Sequence, residues 1–348
     1  MQIIPKKTIP VTIPLDKSNE SSWQSELANA YTDPASLLNY LQLNPEDYAQ
    51  HFAARRLFNM RVPRPFAKLM QTNKWDDPLL KQVFPAKEEF QSHPDFVGDP
   101  LQEHNNALPG ILHKYQNRAL FIVKGGCAVN CRYCFRRSFP YEENAVSKAK
   151  WRDVLNYVAK TDALDEVIFS GGDPLMAKDS HLAWLAEQIS QIPHIKRLRI
   201  HTRFPVVIPQ RINDEFLSWF AKVKLQKIMV FHINHANEVS PDLKSACAKL
   251  RGAGVHLLNQ AVLLRGINDS VQEQIALNEA VFEAGILPYY LHLLDKVEGA
   301  SHFDTPQDKA KQIMAEVIKR QPGYLVPKLV REIAGQPGKT PIDLTLHP

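Results

Sequence analysis

Apolar positions along the chain fall into two textures. From Trp23 to about Met70 they recur at helical spacing. Asp33-Pro34 opens one predicted helix carrying Leu37, Leu38, Tyr40 and Leu41, and Tyr48 to Met60 reads as another. Residues 1–16 are spaced by prolines and predict an extended arm, while 74–117 hold repeated prolines and acidic residues and predict loops with short helices. From residue 119 short β-rich runs take over: Ala119–Val123, Glu166–Ser170, Arg197–Thr202, Lys227–Ile233, His256–Leu264 and Leu287–Leu294. Each later gap holds an amphipathic stretch of helical length, such as Asn213–Val223 or Ser270–Gly285. From the second run onward the starts lie about 30 residues apart, roughly the length of a strand with its crossover helix. The pattern predicts a train of six βα units sharing a parallel sheet. Periodicity alone does not decide between an open barrel and a flat, doubly wound sheet. Residues 321–348 are punctuated by proline and glycine.

Composition changes this picture little. A chain of 348 residues with 44% apolar and 23% charged side chains is globular, with length for a large core. The net charge of +5 is too small and scattered to argue for nucleic acid. No apolar run approaches the ~18 residues of a membrane span. The proline-spaced N-terminus lacks the unbroken apolar core of a signal peptide, so a cytoplasmic location is expected. The 25 prolines against 14 glycines suggest stiff turns rather than flexible linkers.

In either sheet architecture chemistry belongs at the carboxyl ends of the strands. The six runs lead, in order, into Lys124-Gly-Gly-Cys127, Gly171-Gly172-Asp173, His201-Thr202-Arg203, His232-Ile-Asn234, Arg265-Gly-Ile-Asn268-Asp269 and Asp295. Glycines, charges and possible ligands gather at that one edge. Cys127, Cys131 and Cys134 have the spacing C-x3-C-x2-C. Three thiolates in a short loop can hold three irons of a four-iron cluster and leave the fourth open. A structural zinc site is the rival reading, but it needs a fourth ligand. The remaining cysteine, Cys247, shares a helical stripe with Leu243, Ala246 and Leu250 and reads as core. Ser170-Gly171-Gly172-Asp173-Pro174 reads either as a ligand-approaching turn, with Asp173 available to an ammonium, or as a tight turn with Asp173 as cap.

The cysteine triplet, placed just after the first strand of a βα train, resembles the radical S-adenosylmethionine (SAM) superfamily. That resemblance implies a partial parallel (β/α)6 barrel, a [4Fe-4S] cluster on Cys127, Cys131 and Cys134, and SAM bound at the open iron. There one electron cleaves SAM to a 5′-deoxyadenosyl radical. Gly171, Gly172 and Asp173 resemble the segment that receives the SAM amino group. A wider match runs from about residue 50 to 345: His113–Arg118, Cys134-Phe-Arg-Arg137, Arg203-Phe-Pro-Val206, Leu263–Asp269, Gly299–Phe303 and Gly338-Lys-Thr-Pro341 are similar to lysine 2,3-aminomutases. The similarity implies that Lys339 holds pyridoxal 5′-phosphate (PLP) as a Schiff base. It further implies that Arg136 clamps the substrate carboxylate, and that Asp295 and Glu332 receive the distal ammonium of L-lysine. Taken on their own, Lys339 reads as a solvent-facing turn lysine, Arg136 as a surface arginine beside Arg137, and Asp295 as a loop acid paired with Lys296. Asp269 reads as a cap for the next helix.

Glu332 stands where the lysine enzymes have Asp. Two acids at the far end argue against a substrate with a distal carboxylate. The chain stops at Pro348, and with Cys-Phe-Arg-Arg it most resembles the shorter family members that supply (R)-β-lysine for modification of translation elongation factor P. The resemblance thus implies conversion of (S)-α-lysine to (R)-β-lysine, a reductant protein such as flavodoxin or ferredoxin, and a link to an elongation factor P lysyl ligase. The expected organisation is an N-terminal arm and helical region over 1–110, the barrel over 111–300, and a C-terminal segment with the PLP lysine over 301–348. An aminomutase for arginine, and a non-enzymatic iron–sulfur electron carrier or sensor, are the alternatives.

Overall fold

The structure, a computed structural model, describes residues 22–104, 108–344 and 346. The arm predicted over 1–16 lies outside them. Nine strands form one sheet in chain order: β1 Ile111–Tyr115, β2 Arg118–Lys124, β3 Glu166–Gly171, β4 Arg197–Thr202, β5 Gln226–Phe231, β6 Val255–Val262, β7 Leu287–His292, β8 Lys328–Arg331 and β9 Thr340–Pro341. β2 to β8 are parallel; β1 lies antiparallel on β2, and β9 antiparallel on β8. Among the described residues the two edges do not pair, so the sheet stays open. The six predicted strands are β2 to β7.

Alternation along the strands decides between a flat sheet and a curled one. Ala119, Phe121, Val167, Phe169, Leu198, Ile200, Ala261 and Leu291 enter the main buried cluster, shared with Leu182, Leu185, Phe216, Leu243 and Leu277 of the crossover helices. Their neighbours one residue away, Arg118, Leu120, Glu166, Ile168, Arg199, His201, Gln260, Tyr290 and His292, line a single cavity. With a side-chain period of two, one face of the sheet carries the helices and the other wraps the cavity. Such a sheet is a partial barrel.

The N-terminal helices belong to the same core. Trp23, Leu37, Leu38, Leu41, Met60, Val62 and Phe66 join the main buried cluster. Asp33 caps the predicted helix, its Oδ2 accepting from Ser36 N at 2.9 Å, with Pro34 in the first turn. The single helix expected over Tyr48–Met60 is instead three short pieces, a 3-10 turn at Pro45–Tyr48, a helix at Ala49–Phe52 and a second 3-10 turn at Ala53–Arg56. Its carbonyls are needed elsewhere: Arg132 donates to Phe58 O at 2.6 Å and to Ala54 O at 3.2 Å. β1 falls in the stretch 74–117, for which the pattern predicts loops. Its burial does not alternate, and it is a strand because a tight turn folds it back with Tyr115 opposite Arg118. Asp269 is not the cap of helix Val271–Glu283. Ser270 Oγ accepts from Glu273 N, while Asp269 accepts from Gly266 N and pairs with Lys309. Cys247 is fully buried in the helix Pro241–Gly252. No described helix is long and apolar enough to cross a membrane.

Candidate active site

The loop after β2 carries the three cysteines, and the N-terminal helical region clamps it from outside. Arg132 is fully buried and meets Glu89 with two bonds, Nε to Oε1 at 2.8 Å and Nη2 to Oε2 at 2.6 Å. Arg137 reaches the same Glu89 Oε2 at 2.8 Å. Arg61 donates to Cys127 O at 3.1 Å, and Asn130 Nδ2 donates to Asn59 O at 2.7 Å. From the inner side, Asp173 N donates to Gly126 O at 2.9 Å and Gly172 N to Lys124 O at 2.7 Å. A Cβ on Gly172 would sit 2.6 Å from Gly126 O and 2.7 Å from Gly125 O. Gly171 has φ +115°, where side-chain-bearing residues are strained. These two glycines therefore let the end of β3 pack against the cysteine loop.

Cys127, Cys131, Cys134, Arg136, Gly171, Gly172, Asp173, Asp295, Glu332 and Lys339 all line one cavity of about 450 Å³. The thiols are close enough to feel one another. Burial pushes Cys134 up to about 11, with the charge of Cys131 adding to it, and burial with Cys134 and Asp173 raises Cys127. Among the described residues no three Cys, His, Asp or Glu side chains converge on one metal position. A cubane asks instead for one thiolate per iron, which a short loop with three cysteines provides.

Asp173 is buried, and its carboxylate accepts from Thr202 Oγ1 at 2.8 Å, Arg203 N at 2.8 Å, Phe204 N at 3.0 Å and Leu175 N at 3.0 Å. It ties the ends of β3 and β4 together in the capping role. Burial raises it to about 6 against these bonds. Arg136 faces Glu103 in a bidentate pair at 2.6 and 3.1 Å, while its Nη1 makes 3.2 Å contacts with Ser170 Oγ and Gly171 O. Burial pushes Glu103 up, but Arg136 and Lys114 outweigh it and hold the carboxyl below its usual range.

Register places Lys339. With Arg331 opposite Thr340 in the β8–β9 pair, the next position outward sets Glu332 against Lys339, and Nζ lies 2.5 Å from Glu332 Oε2. Glu332 Oε1 accepts from Tyr115 Oη at 3.0 Å and Lys114 Nζ at 3.3 Å. Burial raises Glu332, yet Lys339 and Lys114 prevail and hold it well below the usual carboxylate range. Lys339 is thus no solvent-facing turn lysine. Asp295 is its opposite: among the described residues no side-chain hydrogen bond or ion pair reaches its carboxylate, because Lys296 pairs with Asp95 at 2.9 Å. Burial, with the charge of Glu332 added and Lys339 opposing, pushes Asp295 up to about 7. Two imidazoles near Lys339 are kept neutral. Burial first, then the cations Arg199 and Lys339 at His201 and Lys339 at His292, hold them well below the ordinary histidine range. His201 Nε2 is buried without a partner among the described residues.

Residues 121–277 match the Radical SAM superfamily. Over 336 residues the chain is 54% identical to "L-lysine 2,3-aminomutase" of Escherichia coli (strain K12), covering 96% of this chain and 98% of that one. It is likewise 54% identical over 322 residues to the Haemophilus influenzae "L-lysine 2,3-aminomutase", covering 92% and 95%. Identity to the Clostridium subterminale protein of the same name is 31% over 324 residues, 92% of this chain and 78% of that one. The chain belongs to the lysine 2,3-aminomutase family. Membership implies a four-iron cluster, SAM and PLP, and the cavity's side chains fit such groups. Three thiols stand at one place, a lysine ammonium with neutral imidazoles and the Tyr289–Tyr290 pair (ring centroids 3.8 Å apart, planes tilted by 37°) at another, and an orphaned imidazole nitrogen and an unpartnered carboxylate face the same space. Glu103, Lys114, Tyr115 and Arg203 also line this cavity. Arg203 could be found as a strand-end residue; nothing in the sequence marks Glu103.

Proposed function

We propose that the protein isomerises L-lysine, (S)-α-lysine, to (R)-β-lysine by moving the amino group to the adjacent carbon, and that the product serves the modification of elongation factor P. The observation that carries this reading is a cavity holding both the cysteine triplet and Lys339, with the unpartnered Asp295 on its wall. Family membership and the near full-length match support it. Bound together, cluster and SAM supply a primary radical that removes a hydrogen atom from an unactivated carbon, and PLP carries the migrating amino group.

In this reading Cys127, Cys131 and Cys134 hold the cluster, and Gly171–Asp173 line the place of SAM through their backbone, the Asp173 carboxylate being engaged within the protein. Lys339 anchors PLP covalently. Glu332 Oε1 is held by Tyr115 and Lys114, and Oε2 would hold the Lys339 amine whenever that lysine is not joined to PLP. Asp295, whose carboxylate has no side-chain partner among the described residues, would receive the distal ammonium, with Glu332 as the second acid on the same cavity wall. Arg136 binds the substrate carboxylate by exchanging its long contacts to Ser170 and Gly171, with Glu103 holding the guanidinium flat. The test is anaerobic reconstitution with iron, sulfide, SAM and PLP, then incubation with L-lysine or L-arginine and identification of the β-isomer. β-Lysine from lysine alone is expected; no β-isomer from a fully loaded protein overturns the proposal. The link to elongation factor P predicts loss of its β-lysyl group in cells lacking this protein, restored by added (R)-β-lysine.

A further inference from the structure

Arg203, just after β4, is buried at 6% exposure and unusually well fixed. Its Nη1 lies 2.8 Å from Cys131 Sγ and 2.6 Å from Tyr133 Oη; its Nη2 donates to Gln82 Oε1 at 2.7 Å and Glu238 Oε2 at 2.8 Å. The partners are fixed in turn. Glu238 Oε1 accepts from Asn234 N at 3.0 Å, His235 N at 3.1 Å and Gln82 Nε2 at 3.0 Å, and Asn234 Nδ2 donates to Tyr133 Oη at 2.6 Å. One N–H of the guanidinium remains: Nε is buried and has no partner among the described residues. A buried cation with a spare donor, touching one of the three thiols, points to a negatively charged group at that thiol. Neither Glu238 nor the shell uses up this capacity.

We propose that Arg203 is a positioning residue that sets the reduction potential of the iron–sulfur cluster; this rests on the reading that the cysteine triplet holds one. Accepting one electron from a reduced carrier protein, or from dithionite in vitro, makes the cluster one unit more negative. A guanidinium donating to the ligand Cys131 stabilises that added charge, most effectively where water is excluded. Arg203 therefore makes the cluster easier to reduce, and Glu238 opposes it as the adjacent negative charge. The balance between the two places the potential between what the donor can deliver and what SAM cleavage requires.

The experiment is a redox titration of the reconstituted full-length protein, monitored by the electron paramagnetic resonance signal of the reduced cluster. Arg203→Gln is expected to lower the reduced-to-oxidised ratio at a given solution potential about tenfold, equivalent to ~59 mV for one electron. Arg203→Lys, which keeps the charge but not the fork, falls between it and the parent. Glu238→Gln, which keeps shape and guanidinium, shifts the potential the other way. Potentials of loaded Arg203→Gln and Glu238→Gln that coincide with the parent overturn the inference. Should Arg203→Gln not load iron, Glu238→Gln decides alone: an upward shift supports the inference and an unchanged potential ends it. A parent protein that forms no cluster sinks the underlying reading instead.

Discussion

Glu89 is the hinge on which the cysteine loop is held, and its removal is the sharpest test of how the N-terminal region supports the site. Glu89→Ala leaves two guanidinium groups, those of Arg132 and Arg137, facing each other without their shared carboxylate. Glu89 and Arg132 side chains are both fully excluded from solvent, and Arg137 is nearly so. Breaking one partner out of a buried pair costs about 3–5 kcal/mol, because the charge left behind stays desolvated. Arg132 cannot swing out to water, since Nη1 and Nη2 are also bound to Phe58 O and Ala54 O. With an unfolding entropy of ~2.1 cal/mol/K per residue, 348 residues give roughly 0.7 kcal/mol/K, so the loss corresponds to a Tm lowered by about 4–7 °C. Differential scanning calorimetry of the cofactor-free protein measures it, and iron content after reconstitution should fall with it. A drop under ~1.5 °C is what an exposed pair worth up to about 1 kcal/mol would give, and it would refute the account of the clamp.

Three more outcomes are expected at the site. Gly172→Ala sets a methyl group against the carbonyls of Gly125 and Gly126, so iron loading should fall several-fold while the secondary-structure signal in circular dichroism is retained; normal loading contradicts the packing described. Lys339→Ala should lose the PLP absorbance band with iron content intact, and loss of both would mark Lys339 as a folding residue. Asp295, with its folded value raised to about 7 from an ordinary aspartate range, binds its proton more tightly folded than unfolded. Its contribution to stability is therefore greatest at acid pH and declines as pH rises from ~4 to ~7. Asp295→Asn should match the parent near pH 4 and become the more stable of the two by pH 8 in cofactor-free denaturation; a stability difference independent of pH contradicts this.

The parallel βα sheet is legible in the sequence because six strand-and-helix units impose a period of about 30 residues. Its curl into a partial barrel shows only in which strand positions face the helices and which face the cavity. The candidate site is legible in part because the cysteine triplet and the Gly171-Gly172 pair follow strand ends, and the structure gathers them on one cavity. Pairings across distant parts of the chain leave no such mark. Glu103 reaches Arg136 from a loop 33 positions earlier, and Arg203 meets Gln82 across 121 positions; neither separation has a periodicity to read. In sequence Asp173 is open to two roles, and the deciding donors, Thr202 and the backbone of Arg203 and Phe204, arrive with the next strand. β1 and β8 are made by pairing rather than by pattern. The same is true of the fragmented helix at 45–56, where Arg132 of the cysteine loop competes for its carbonyls.

The β8–β9 pairing has an evolutionary consequence. Because Lys339 is aimed by ladder register, the bend between residues 332 and 339 is constrained in parity, and in composition chiefly at Gly335, which has φ +78°. A single inserted or deleted residue there would turn the ammonium to the other side of the ribbon and break its pairing with Glu332 without changing either side chain. Homologues should therefore vary the letters of this bend more readily than its count.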